Sequence, residues 1–340
     1  MLRQSMTHRW IALAFGVSSL ALLGCSDPEP PTPKEGWSVV AEDLPGALLS
    51  VYAPTADNVW AVGSDPGDGK GPMVVRYDGN ELRRIETGAT NDIWWVAPGD
   101  GDTLWMSGAN GLILRCSQAD ESCKNQSVGG SRTFFGIFAF ADDDVWAVGG
   151  DITGTGNLHD AFHFDGAKWT AVTDWPEEMN EKTTFFKVWG RTPSDLYIIG
   201  TKGVMLHYDG TAWKNIDLGT EENLVTLHGN SQRSVLVGGF GSGLIMTNDG
   251  DGFKPADIGD VPQMNGIFVS EDKPAVAAGA RGFVAFETES GWVQDTEAPE
   301  TFYDYHAVAR DASGGVWAVG GNILLPPLKA GMIMHYRPGN

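Results

Sequence analysis

The sequence predicts an all-β fold, a seven-bladed β-propeller, and three observations predict it. The stretch Val59-Trp60-Ala61-Val62-Gly63 returns as Val145-Trp146-Ala147-Val148-Gly149 and as Val316-Trp317-Ala318-Val319-Gly320. Weaker copies end at Gly108, Gly200, Gly238 and Gly279, so successive glycines are 45, 41, 51, 38, 41 and 41 residues apart. A period of about 40–45 residues holding several short strands marks propeller blades. Finally, the last repeat lacks its fourth strand, and a segment near the start of the chain supplies one. The chain has 340 residues; length alone would suggest two domains, but a closed ring of small blades is one unit.

Along the chain, residues 1–24 read as an export signal. Arg3, His8 and Arg9 form a basic start, and residues 11–23 (IALAFGVSSLALL) are an apolar run too short to span a membrane comfortably. The run ends in Leu22-Leu23-Gly24-Cys25, which resembles the lipobox of bacterial lipoproteins. That resemblance implies lipidation of Cys25, and Ser26 after it is compatible with outer-membrane sorting. The expected location is therefore the cell envelope, with the membrane reached only through the N-terminal lipid, since two or more acyl chains anchor stably where one does not. Residues 25–36 are the lipidated cysteine and a linker; its SDPEPPTPKE stretch carries four prolines and would extend at roughly 3 Å per residue.

The propeller occupies residues 37–340. Gly36-Trp37-Ser38-Val39-Val40 matches a fourth strand such as Ala212-Trp213-Lys214-Asn215-Ile216, while the C-terminus stops after a third strand at Met334-His335-Tyr336. A strand at about 37–42 is thus expected to complete blade seven and remove the open edge. Within a blade, the first strand is an apolar, aromatic stretch such as Phe134 to Ala139. The second, Val-Trp-Ala-Val-Gly, is apolar at every position, as a strand buried on both faces must be. Trp60, Trp105, Trp146, Tyr197 and Trp317 share one slot in it, three residues before the glycine, and read as core filling. The third strand runs into Tyr-Asp-Gly, and Asp-Gly at 78–79, 165–166, 209–210 and 249–250 reads as a two-residue hairpin turn. In blade two that place falls to Cys116 and Cys123, which an exported protein would join as a disulfide worth about 2–3 kcal/mol in the chain-entropy view.

The repeat pattern resembles two propeller groups: the tectonin family of glycan- and lipopolysaccharide-binding lectins, and the photosystem II assembly-factor type with its Asp-box relatives. WD-repeat markers are absent. The shared motifs specify blades, so the resemblance implies the fold and carries no binding residue over.

Function is constrained mostly by exclusion. Lys and Arg number 23 against 44 Asp and Glu, a net charge of −21, which falls to −23 once Arg3 and Arg9 leave with the signal. Such a chain disfavours nucleic acid and anionic lipid surfaces. No Gly-x-Ser-x-Gly, His-Glu-x-x-His or phosphate loop occurs. His163, His207 and His335 recur at one blade position, and equivalent positions lie on a ring, so they are not expected to meet around a metal. No catalytic residue, cofactor or metal is assigned, although Asp65 and Asp68 are the carboxylates from which a calcium site would be built.

The departures from the repeat are loop insertions on one face: Ser64–Pro72, Gly150–Asp160 and Gly321–Gly331 after second strands, and Asp174–Thr183 and Gln294–Tyr303 before first strands. Extra loops on one face are where function sits. The candidate binding face comprises Asp65, Asp68, Asp151, His159, Asp160, Trp175, Tyr303 and Leu325, with the inner-strand residues Lys187, Thr226, His228, Asp304 and His306 at the axis. The leading expectation is a membrane-anchored, non-enzymatic interaction module that holds a protein or glycan partner on this face. A tectonin-like lectin with exposed aromatics, and a hydrolase or lyase with a site assembled at the axial mouth, are the alternatives.

Overall fold

The computed structural model describes residues 35–151, 158–179, 182–239 and 241–339; the expected signal, Cys25 and most of the linker lie outside them. Its strands form seven four-stranded antiparallel sheets. The inner strands are Leu48–Thr55, Ile93–Pro98, Thr133–Ala141, Phe185–Thr192, Leu224–Gly229, Met264–Phe268 and Asp304–Arg310 for blades one to seven. Each touches the inner strands of both neighbouring blades, and the last touches the first, so the ring is closed around an axis.

The second strands are buried along nearly their whole length, as in Thr103–Gly108 and Ser234–Gly238, because a neighbouring blade covers each face. Their aromatic slot is more than filling. In blade three the Trp146 indole donates to Asp144 at 3.1 Å while His163 stacks on the ring at 4.2 Å and bonds the same carboxylate. Blade four repeats this with Tyr197, His207 and Asp195. In blade seven the Trp317 indole donates to Asp311 and the His335 ring stacks on Trp317 at 3.8 Å, with its Nε2 3.5 Å from the same carboxylate. Blade one substitutes Asn58 and Arg76 around Trp60. In blade two the acid, Asp142, comes from the turn of blade three and binds Trp105, Thr103 and Arg115, clamping the two blades. The recurring histidines are thus each taken up within their own blade.

Gly36–Leu44 pairs antiparallel with Lys329–Arg337 and completes blade seven, slightly longer than the expected 37–42. The Trp37 indole also reaches blade six, donating to Asp295 at 2.8 Å. The disulfide forms between Cys116 and Cys123, which face each other across the third and fourth strands of blade two.

The Asp-Gly turns differ from the expected form. Only the glycine has positive φ, +90° at Gly79 and +88° at Gly210, and the loop is longer than two residues. Asp78 accepts the backbone N–H groups of Asn80 and Glu81, Asp165 those of Ala167 and Lys168, and Asp209 those of Thr211 and Ala212. The carboxylate closes an Asx turn, which holds the strands without requiring a left-handed aspartate. These bonds keep Asp78 and Asp165 below the usual carboxylate range.

Candidate functional site: the axial cavity and its rim

The glycine that ends each second strand builds the site. A Cβ on Gly63 would stand 1.9 Å from the Ala47 carbonyl oxygen, and one on Gly320 would stand 1.9 Å from that of Asp304. Only glycine admits this approach, and directly after it every inner strand carries a β-bulge. Leu48 pairs with Gly63 but Ser50 pairs with Val62, leaving Leu49 over. The same slip leaves over Trp94, Phe135, Phe186, Val225, Asn265 and His306 in blades two to seven. A bulge re-aims one side chain while the strand continues. Here the re-aimed residues of blades two to seven line a cavity of 310 Å³ at the loop-rich end of the axis, together with Lys187, Asn223, Gln263, Ile323 and Leu324.

A second cavity of 290 Å³ lies further along the inner strands, walled by Trp95, Phe138, Trp189, His228 and Phe268. Lys187 borders both. Its side chain is 4% exposed. The ammonium donates to the Phe135 carbonyl at 3.2 Å and lies 3.1 Å from the centre of the Trp95 ring. Burial pushes its pKa well below the ordinary lysine range. A larger recess of 480 Å³ sits off the axis near Lys273 and Tyr336, but its arginine, Arg310, is already bonded to the Gly314 and Pro274 carbonyls.

His306 contacts the Leu49 carbonyl through Nδ1, and His228 accepts the Val269 N–H at 3.0 Å. Burial pushes both imidazoles down to about 4, and for His306 the charge of Lys187 pushes the same way. Unfolding restores an ordinary value near 6.5, so the unfolded chain binds more protons between pH 6.5 and 4. Stability present above pH 6.5 is therefore lost as pH falls through that window. The loss at pH 4 should be about 3–5 kcal/mol for the two rings together, allowing for solvation by the channel. Urea unfolding at pH 7.5, 5.5 and 4 checks this: a His228→Gln, His306→Gln double variant should flatten most of the decline.

The structure gathers part of the expected binding face and disperses the rest. Lys187 and His306 meet in the upper cavity, His228 lies in the lower one, and Thr226 is buried in the inner strand of blade five. Asp304 is buried and accepts the Arg281 N–H at 2.9 Å. The remaining carboxylates serve the fold. Asp65 caps Gly67, Asp68 pairs with Arg84, Asp151 holds the Ser131 hydroxyl, and Asp160 pairs with Arg132. No group of three or more His, Cys, Asp or Glu side chains that could hold a metal ion occurs among the described residues. Trp175 is partly buried and packs on Phe185, Trp213 and His159 between blades three and four.

Tyr303 and Leu325 do face solvent. Asp304 pairs with Gly321, so the loops carrying Phe302–Tyr303 and Ile323–Leu328 leave the sheet side by side. Phe302 is fully exposed, Tyr303 38%, Leu324 69% and Leu325 71%. The second loop is moored to blade one through the Leu328 carbonyl, which accepts the Ser64 hydroxyl at 2.7 Å. An apolar rim thus stands beside the cavity mouth.

Sequence reasoning missed Trp94, Phe135, Phe186, Val225 and Asn265, because strict alternation assigns them no special side. A signal was present: each bulged residue lies fourteen positions before its blade's glycine, or thirteen in blade five.

No protein-family model matches the chain, and no curated protein matches it in sequence. Among solved structures it is similar to YCF48 from Cyanidioschyzon merolae, with a TM-score of 0.65 and 13% identity over 90% of this chain and 100% of that one. The WD40 propeller domain of Doa1 gives a TM-score of 0.66 and 11% identity over 88% of this chain and 97% of that one. A structure described as YCF48 bound to D1 peptide gives 0.63 and 14%, over 91% and 99%. At such identities these likenesses show the seven-bladed propeller fold.

Proposed function

We propose that this chain is a non-enzymatic binding module, held at the cell envelope through lipidated Cys25, that grips an apolar segment of a protein partner on the blade-seven rim. The observation that carries the reading is the cluster Phe302, Tyr303, Leu324 and Leu325, exposed together at the mouth of an aromatic cavity. Exposed apolar clusters of this kind mark interaction sites. A sugar would need free polar groups beside the aromatics, and the carboxylates of this face are spent on Arg84, Arg132, Ser131 and backbone amides. That favours protein over glycan. The structural likeness to a propeller described with a bound peptide supports the same reading.

Photo-crosslinking in the native cells tests it. A crosslinker at Leu325 should capture a partner protein that one at Asn80, in an Asp-Gly turn, does not. Phe302→Asp with Leu325→Asp should weaken capture about 100-fold or more, since burying each side chain is worth about 1.5–3 kcal/mol, with the unfolding midpoint unchanged. Equal capture from both positions, or saturable glycan binding insensitive to the two substitutions, would overturn it.

A further inference from the structure

The upper cavity is chemically lopsided. The chain carries 44 acidic residues against 23 basic ones, yet no described residue lining this cavity is acidic, and its two ionisable groups, Lys187 and His306, are bases. Lys187 is held as an ammonium is held, with its nitrogen over the Trp95 ring and a carbonyl as acceptor. No carboxylate among the described residues pairs with it. An ammonium so deeply buried without a counter-ion is costly, and it makes one of the three hydrogen bonds open to it. Trp94, Phe135 and Phe186 supply apolar wall, with Phe135 edge-on to both of the others at 4.9 and 5.6 Å. Asn265 adds a fixed amide, oriented by the Tyr305 carbonyl and the Gln263 side chain. A mostly apolar hollow with a few placed polar groups is the usual form of a small-ligand site, and 310 Å³ lies at the low end of the usual range of about 300–1,000 Å³.

We infer that the upper axial cavity binds an aromatic or aliphatic carboxylate, its anionic end against Lys187 and its apolar body against Trp94, Phe135 and Phe186. The ligand supplies the counter-charge that the protein omits. A free organic acid and the C-terminal end of a protein chain share this chemistry. The inference stands on the cavity; of the four rim residues only Leu324 also lines it, and the two rim positions substituted above, Phe302 and Leu325, do not.

The test is calorimetric titration of the full chain with 3-phenylpropionate and with its amide, 3-phenylpropionamide. The acid should bind at least about tenfold more tightly than the amide, as a hydrogen bond to a charged group warrants. Lys187→Met and Lys187→Gln should each erase that preference while far-UV circular dichroism stays native. Gly-Gly-Phe against Gly-Gly-Phe-amide forms the second arm: acid preference there assigns a chain end, and preference confined to the small acid assigns a free ligand. Equal binding of acid and amide, absence of binding by every acid, or preference surviving in a folded Lys187 variant would each overturn the inference. Phe302→Asp with Leu325→Asp should leave acid binding unchanged, so failure of the rim reading and failure of this one are distinguishable.

Discussion

Deleting Gly36–Leu44 is expected to abolish the folded monomer. That strand pairs with Lys329–Arg337 from Gly36 opposite Arg337 to Leu44 opposite Gly331. Its loss strips one ladder from blade seven and bares the unpaired backbone of Lys329–Arg337, an edge that templates aggregation. It also uncovers the core of two blades: Trp37 packs on Tyr336 at 5.5 Å and donates to Asp295 of blade six, while Val40, Ala41 and Leu44 lie against the cluster shared by blades one and seven. Losing one Trp contact surface, three smaller apolar contacts and a ladder should cost about 5 kcal/mol or more, comparable to the whole stability of many domains, about 5–15 kcal/mol. Size-exclusion chromatography and urea unfolding check the result. The truncated chain should elute as aggregate, and adding the strand as a separate peptide should recover part of the monomer. A truncated monomer unfolding at the wild-type midpoint would show that the ring does not depend on this closure.

Asp311→Ala should be the most damaging single substitution among the blade aspartates. Its buried carboxylate accepts the Trp317 indole N–H at 2.8 Å and the backbone N–H groups of Ser313 and Gly315 at 2.9 and 3.0 Å, and His335 Nε2 stands 3.5 Å away. Burial alone would push the Asp311 pKa up, but these donors outweigh it and hold the group well below the usual carboxylate range. Alanine strands several buried donors at once, at about 3–5 kcal/mol. Asp311→Asn should recover roughly half, because a neutral amide oxygen does the same task in blade one, where Asn58 accepts the Trp60 indole at 2.9 Å. Urea unfolding followed by tryptophan fluorescence measures both. An alanine variant within about 0.5 kcal/mol of wild type would mean that the Trp–acid–His arrangement is ornament to a fold held by apolar packing alone.

The parts of this molecule that were legible in the sequence are those where one physical demand recurs. A strand buried on both faces must be apolar throughout, so Val-Trp-Ala-Val-Gly announces each blade. Closing the ring requires a missing strand to be found elsewhere, so Trp37 could be matched to Trp213. Cys116 and Cys123 were legible for the same reason, since they sit where other blades place a turn. The cavity was not, because a bulge changes which way one residue faces without changing its chemistry. Phe134 and Phe135 are adjacent and alike, yet Phe134 is core and Phe135 lines the axis. Trp175 shows how little loop position alone says of burial: it lies in an inserted loop and still packs, partly buried, against the cluster between blades three and four. In the acidic loops, a carboxylate that caps a turn and one that awaits a ligand look the same in sequence until their donors are in place.

The bulges also bear on how such a chain diverges. Each blade holds its packing in the second strand and its glycine, and blades two to seven each hand one neighbouring position to the channel. Trp94, Phe135, Phe186, Val225, Asn265 and His306 therefore form a six-letter word that can be rewritten while the grammar of the blades stays fixed. Relatives with the same glycine spacing and different words would be expected to keep one scaffold and change their cargo, and a library randomised at these six sites would explore new binding specificities at little expense in folding.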